Sequence, residues 1–294
     1  MGVGRGCDIF GRWWWWWKKP EMKRVDVHIM RREDLENIYE IEENILGCGG
    51  FGKVRAAVRC CDGVKVAVKE VDRSDLPLCM MKEGLPMEVH LLHAVMGVPG
   101  VANIIDHFAT SDSFFIIMQL VEGMDLFDFI SQRAPLGERE AANLFKQVVK
   151  SVSECQKRGV MHGDVKTENV MVEDGGKNGV KIEIVDFGSG GWYCPSKTYS
   201  KYQGTRIFAP PEWVKFRKYR GEPLTVWSLG VLLYEMLCDR IPFETDMEIL
   251  EGSIFFPQQL NLSSDVQNLI FSCLNRDQSA RIGLMDILHH SWIS

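Results

Sequence analysis

Between Met161 and Gly188 the chain reads M-H-G-D-V-K-T-E-N-V-M-V, then a polar glycine-rich turn over Glu173 to Gly179, then V-K-I-E-I-V-D-F-G. Asp164, Lys166, Asn169 and Asp186 are the side chains in it whose types and spacing could do chemistry. Residues 170–172 and 180–185 predict two short strands joined by the Asp174-Gly175-Gly176 turn. A hairpin of that kind returns Asp186 to the side of Asp164 and Asn169. Carboxylates, an amide and an ammonium gathered in this way suit phosphoryl transfer. Asp164 would accept a hydroxyl proton, Asn169 and Asp186 would hold Mg²⁺, and Lys166 would steady the moving phosphate.

Such a cluster needs a nucleotide held above it. Upstream, I-E-E-N-I-L-G-C-G-G-F-G-K-V-R sets Gly47, Gly49 and Gly52 between two strand-like segments. Glycines let the backbone turn tightly and bring N–H groups to phosphate oxygens. A dinucleotide-binding loop is the competing reading, but it would run into a helix, whereas here a strand follows. Leu46, the aromatic Phe51 and Val54 complete the candidate loop. V-K-V-A-V-K-E-V then alternates as a strand does, carrying Ala67 and Lys69. A buried lysine needs a carboxylate, and Glu88 is the candidate, on a helix with Pro86 as its first residue and Leu92 one turn on. Next comes an apolar strand ending at Met118, a hinge over 119–123 and a short helix that Asp125 could cap. Residues 138–158 form an amphipathic helix stopped by Gly159. V-W-S-L-G-V-L-L-Y-E-M-L reads as a helix buried on all sides, and helical patterns recur at 264–275 and 284–290.

These blocks resemble the protein kinase motifs: glycine-rich loop, strand lysine, catalytic loop and D-F-G. The resemblance covers Glu40 to Ile293 and implies an α+β, two-lobed fold: a small antiparallel sheet with one key helix, then a mainly helical lobe. The small lobe would span about 38–118, the hinge 119–124 and the large lobe 125–294, with 36–294 as one kinase domain. Implied cofactors are ATP and Mg²⁺. Lys69 would contact the α and β phosphates, Ala67 would pack on the adenine, and Met118 would close the back of its pocket. The Gln119 carbonyl and the Val121 N–H and carbonyl would address the adenine edge, and Asp125 the ribose. Thr205, in G-T-R-I-F-A-P-P-E-W, would bond Asp164 and shape the substrate groove. Glu212 and Arg281 would form a structural buried pair.

P-M-E-V, D-L-F-D-F-I, D-F-G-S-G, G-T-R-I-F-A-P-P-E-W and I-P-F-E are similar to the Pim family of serine/threonine kinases, in the calmodulin-dependent-kinase-like branch. That resemblance implies Ser/Thr specificity, basic peptide substrates and activity without activation-loop phosphorylation. Glu168 would meet an upstream arginine, with Asp128, Glu244 and Asp246 as further acidic candidates. The departures are a hinge of ordinary length in which Val121 keeps its N–H, Gly163 in place of the catalytic-loop arginine, and Thr225 where many kinases carry a bracing Asp. Because Gly163 and Thr225 both touch loop support, an impaired scaffold that binds ATP and partners is the alternative.

The 294 residues carry a formal net charge of −6, which argues against a nucleic-acid partner. The nine cysteines show no metal or disulfide framework, so free thiols in a cytoplasmic setting, with the nucleus as a second location, are expected. No apolar run reaches membrane-spanning length, and a monomer is expected. Residues 1–35 read as a low-complexity tail. Trp13 to Trp17 with Lys18-Lys19 could sit at a membrane interface, but Gly6 stands where a myristoylation signal wants Ser or Thr.

Overall fold

The computed structural model describes residues 25–49, 52–133, 136–174 and 179–293. The tryptophan run and Phe51 lie outside the described residues.

Helix α1 (Arg32–Ile38) leads into strands β1 (Tyr39–Gly49), β2 (Gly52–Arg59) and β3 (Lys65–Asp72). Helix α2 (Met87–Val95) follows, then strands β4 (Ile104–Ala109) and β5 (Ser113–Gln119). The five strands form one antiparallel sheet in the order β1-β2-β3-β5-β4. Alternation decides which side chains face the site. Ala67 and Lys69 lie two apart on β3, Met118 is the cross-strand partner of Ala67, and Val54 is that of Lys69. Gly52 permits the β2–β3 approach: a Cβ there would sit 2.3 Å from the Glu70 carbonyl oxygen.

The small lobe starts earlier than residue 36. Leu35 is fully buried with Tyr39, Val68 and Phe115. Ile29 bridges Ala109 at the β4 edge, with Met30 N–H donating to the Ala109 carbonyl at 3.0 Å. Arg32 pairs with Glu70 at 2.9 Å. Residues 25–35 therefore cover a sheet edge and an apolar face that would otherwise meet water. Pro86 also differs from expectation. It precedes α2 and pairs with Met81 across a turn at Glu83-Gly84, both at positive φ.

Helices α3 (Leu126–Arg133) and α4 (Glu138–Lys157) open the large lobe, and the hairpin β6 (Val170–Asp174) and β7 (Val180–Ile184) follows them. Helices α5 (Pro211–Phe216), α6 (Gly221–Cys238), α7 (Asp246–Glu251), α8 (Ser264–Cys273) and α9 (Leu284–Ile287) complete it. On α4 the three- and four-residue spacing puts Ala141, Phe145, Val148, Val152 and Cys155 inside. Gly159 ends that run at φ +77°. Helix α6 is the central post, buried from Leu224 to Cys238, with Trp227 stacked on Phe243 at 5.6 Å. The last two helices are shorter than their apolar patterns, since α8 stops at Cys273 and α9 at Ile287.

Candidate active site between the lobes

Lys69 Nζ lies 2.8 Å from both Glu88 oxygens and 2.6 Å from Asp186 Oδ1. Burial works to lower the Lys69 ammonium, but the two carboxylates outweigh it and hold it raised above its ordinary value. The same pairing acts on Asp186. Burial works to raise its carboxyl, and the adjacent Lys69 charge brings it below the usual range. Asp186 takes φ +62°, a left-handed conformation rare for a non-glycine residue, and its Oδ1 also accepts the Gly188 N–H. Phe187 behind it is fully buried, with its ring 4.6 Å from that of His162.

The hairpin β6–β7 delivers Asp186 as its register requires, Val170 opposite Ile184 and Val172 opposite Ile182. At the start of that hairpin, Asn169 donates its amide to the Asp164 carbonyl at 2.8 Å and to Asp164 Oδ2 at 3.4 Å. Asp164 Oδ1 accepts the Thr205 N–H at 2.7 Å, and Oδ2 accepts the Thr205 hydroxyl at 3.1 Å. Lys166 Nζ donates to Thr205 Oγ1 at 3.0 Å and sits 3.6 Å from Asp164 Oδ2. Thr205 thus joins the segment after D-F-G to the carboxylate of the catalytic loop. His162 supports the loop from below: its Nε2–H donates to the Val185 carbonyl, and its Nδ1 accepts the Asp164 N–H. Burial holds that imidazole below its usual range.

The nucleotide side is built to match. Gly49 lies over the site, its Cβ position 4.0 Å from Asp186 Oδ2, and Gly47 has open space beside it. Leu46 is exposed at the mouth, while Met118 and Ala67 are buried at the back. Gln119 ends β5 opposite Val66, one residue beyond the expected end, and its N–H donates to Asn103. Val121 is buried, yet among the described residues no group hydrogen-bonds its N–H or carbonyl. A buried backbone pair left open in this way fits the edge of a planar base. Asp125 caps α3 by accepting the Asp128 N–H at 2.8 Å. Burial raises its carboxyl, and Asp128 and Glu168 repel it further.

For Mg²⁺ the donor set also fits. Among the described residues no three ligating side chains converge. Asp186 Oδ2 and the Asn169 amide oxygen are the hard oxygen donors left over once Lys69 and Asp164 have taken their partners. Mg²⁺ characteristically takes one or two protein oxygens and completes its shell with phosphate and water.

Some contributors were not visible in the motifs. Glu235 on α6 accepts the Thr167 hydroxyl at 2.9 Å, which lies 3.1 Å from Glu168. Burial pushes the Glu235 carboxyl up to about 7, reinforced by the nearby Glu168 and Asp239 charges. Its partner is remote in sequence, and the available signal was a carboxylate inside an otherwise apolar helix. Thr225 does not reach the loop, because its hydroxyl bonds back to the Gly221 carbonyl. The tie from α6 to the loop therefore runs through Glu235. Gly123 lets the hinge touch β6, where a Cβ would lie 2.1 Å from the Val172 carbonyl oxygen. Asp246, a candidate for a substrate cation, is already paired with Arg206. Glu212 and Arg281 form the expected pair, with contacts of 3.0 and 2.9 Å, both side chains buried.

Residues 39–293 match the protein kinase domain family. The serine/threonine-protein kinase pim-2 of Danio rerio is 38% identical over 275 residues, covering 89% of this chain and 86% of that protein. The serine/threonine-protein kinase prk-2 of Caenorhabditis elegans is 38% identical over 255 residues, 84% of this chain and 56% of that protein. NUAK family SNF1-like kinase 1 of Homo sapiens is 32% identical over 269 residues, 90% of this chain and 39% of that protein. With the lysine, carboxylate and amide constellation set between two such lobes, this chain belongs to the protein kinase family and is a serine/threonine protein kinase.

Proposed function

We propose that this kinase transfers the γ-phosphate of ATP to Ser or Thr in peptides with basic residues upstream, and that it does so without activation-segment phosphorylation. Asp164 receives the proton of the substrate hydroxyl, and the Thr205 bonds fix the orientation of its carboxylate. Lys166, bridging Thr205 and Asp164, meets the charge of the phosphoryl group in flight. Lys69, held by Glu88, positions the α and β phosphates. Asn169 and Asp186 would hold Mg²⁺, which neutralises charge on the phosphates when bound.

Phosphate independence rests on how the segment after D-F-G is tethered by its own side chains. Tyr199 OH donates to the Trp192 carbonyl and accepts the Cys194 N–H. Tyr202 OH donates to the Thr205 carbonyl, Tyr219 OH to the Lys201 carbonyl, and Ser189 Oγ to the Gln203 carbonyl. Residues 198–199 pair as a short ladder with 219–220. A segment ordered this way does not need a phosphate and an arginine to order it.

The basic preference rests on charge. Asp128 and Glu168 both lie close enough to Asp125 to repel its carboxylate, and Glu168 and Asp239 both act on Glu235. A substrate guanidinium relieves that repulsion. The chain would act as a monomer in the cytoplasm. Among the described residues no helix is long and apolar enough to cross a membrane.

The test is radiolabelled γ-phosphate transfer by phosphatase-treated protein to Ser, Thr and Tyr peptides with and without upstream Arg, against D186N. Turnover confined to Arg-containing Ser and Thr peptides supports the proposal. Turnover that appears only after phosphorylation of the protein refutes phosphate independence, and indifference to Arg refutes the basic preference.

A further inference from the structure

Residues 189–220 hold four lysines and three arginines against one acidic residue, Glu212, in a chain whose formal net charge is −6. Glu212 is buried and paired with Arg281, so it offsets none of this charge at the surface. Arg206 has Asp246. The others, Lys197, Lys201, Lys215, Arg217, Lys218 and Arg220, are all exposed, and none is in an ion pair among the described residues. Glu222, the next acid along the chain, is engaged by Gln156, the Tyr193 hydroxyl and the Leu284 N–H.

The fold brings these cations together and holds them in place. Thr198 pairs with Arg220 and Tyr199 with Tyr219, so Lys197 and Arg220 stand at one end of that ladder and Lys201 and Lys218 at the other. Tyr199 stacks on Tyr219 at 5.4 Å, and the Tyr219 hydroxyl donates to the Lys201 carbonyl at 2.8 Å. Arg217 follows α5 in the left-handed conformation, φ +53°, with its guanidinium 4.3 Å from the Trp213 ring centre. Exposed Phe216 lies between Lys215 and Arg217 and adds an apolar contact surface. Like charges mounted this closely repel one another, and an anionic partner relieves the repulsion.

The patch is continuous with the substrate groove. Lys201 precedes Tyr202, whose hydroxyl donates to the Thr205 carbonyl, and Thr205 bonds the Asp164 carboxylate. The chain from Lys201 to Thr205 spans at most about 14 Å. A peptide leaving the acceptor position advances about 3.3 Å per residue, so its residues about three to six beyond the acceptor reach the patch. We propose that this patch docks an acidic segment of the protein substrate, downstream of the phosphorylated Ser or Thr. The proposal rests on the reading above in which Asp128 and Glu168 take the upstream residues, which leaves the side of Thr205 and Lys201 to the downstream ones. An anionic membrane carries the same sign of charge, but continuity with the groove favours the substrate's own chain.

The experiment compares two labelled Ser peptides with one Arg-containing upstream sequence and either Glu or Gln at about positions three to six after the acceptor. Fluorescence anisotropy and steady-state phosphate transfer are measured on the full chain and on the K215Q/K218Q/R220Q variant, whose altered side chains are all exposed. The Glu peptide should show Kd and KM at least about fivefold lower than the Gln peptide, with kcat alike. The variant should lose that advantage while handling the Gln peptide as the parent does. Added salt should erode the advantage in the parent. Equal affinity for the two peptides overturns the proposal, and so does an advantage that survives in the variant. Binding to phosphatidylserine vesicles that the variant loses, with no change toward either peptide, also overturns it and puts a membrane on the patch. Anisotropy needs no turnover, so the Glu-against-Gln comparison decides even for inactive protein. Peptides with the upstream Arg replaced by Ala test the basic preference separately.

Discussion

The carbonyl oxygen of Ser189 stands 2.3 Å from where a Cβ on Gly163 would be, and Gly163 holds φ +83°. The backbone after D-F-G packs directly onto the catalytic loop at the position where the general kinase motif H-R-D has its arginine. Gly204 repeats the contact from the other end, its Cβ position 2.5 Å from the Gly163 carbonyl oxygen. Gly163→Arg should therefore impair the enzyme instead of restoring a missing part. A displacement of about 1 Å at a reacting centre costs roughly 10²-fold in rate. A comparable fall in kcat is expected for Gly163→Arg, and a smaller one for Gly163→Ala. Steady-state kinetics decide it: unchanged turnover in Gly163→Arg would falsify the packing argument.

Asp186→Asn removes the charge paired with Lys69 while keeping a side chain that tolerates the left-handed backbone. Turnover should drop by at least about 10²–10³-fold, with the thermal midpoint little changed. Phosphate transfer and unfolding measured on one preparation separate lost chemistry from lost fold.

Glu212→Ala leaves the Arg281 guanidinium buried without its carboxylate, although the Pro223 and Asn275 carbonyls still accept from it. A cost of about 3–5 kcal/mol is expected from breaking such a pair. Denaturant titration would show a shifted midpoint at an unchanged slope. A shift below about 1 kcal/mol would place the pair among those that contribute little.

Glu235 gives a pH signature. Its carboxyl is pushed from 4.5 to about 7 in the fold, so the folded state binds the extra proton between those values. That contribution is fully present below about pH 4.5 and is lost as pH rises through 7. Glu235→Gln mimics the protonated form and should be free of the loss. Its stability advantage should grow between pH 5 and 8 to on the order of 1–3 kcal/mol. An advantage that does not vary with pH would mean that Glu235 is ionised at little cost in the fold.

Much of this was readable from the chain because the chemistry is local. Asp164, Lys166 and Asn169 share one loop, and a single hairpin returns Asp186 to them. Strand alternation likewise fixed the shared face of Ala67 and Lys69. What could not be read depends on partners far apart in sequence. Thr167 and Glu235 meet across the large lobe, and Leu35 is buried by residues of β3 and β5. The segment 25–35 has no long periodic pattern of its own, and its order comes from the β4 edge that it covers. Thr225 shows the converse limit: its position announced a missing brace, but spacing could not reveal that α6 reaches the loop through a different carboxylate.

The tyrosine hydroxyls that pin the segment after D-F-G carry a further consequence. A tether made from encoded side chains is present from the moment the chain folds and offers a phosphatase nothing to remove. Were turnover independent of phosphorylation, as proposed above, signal would scale with the number of molecules in the cell, and synthesis and degradation would become the dial. A short lifetime, in messenger or protein, would then do the work that an upstream kinase does elsewhere.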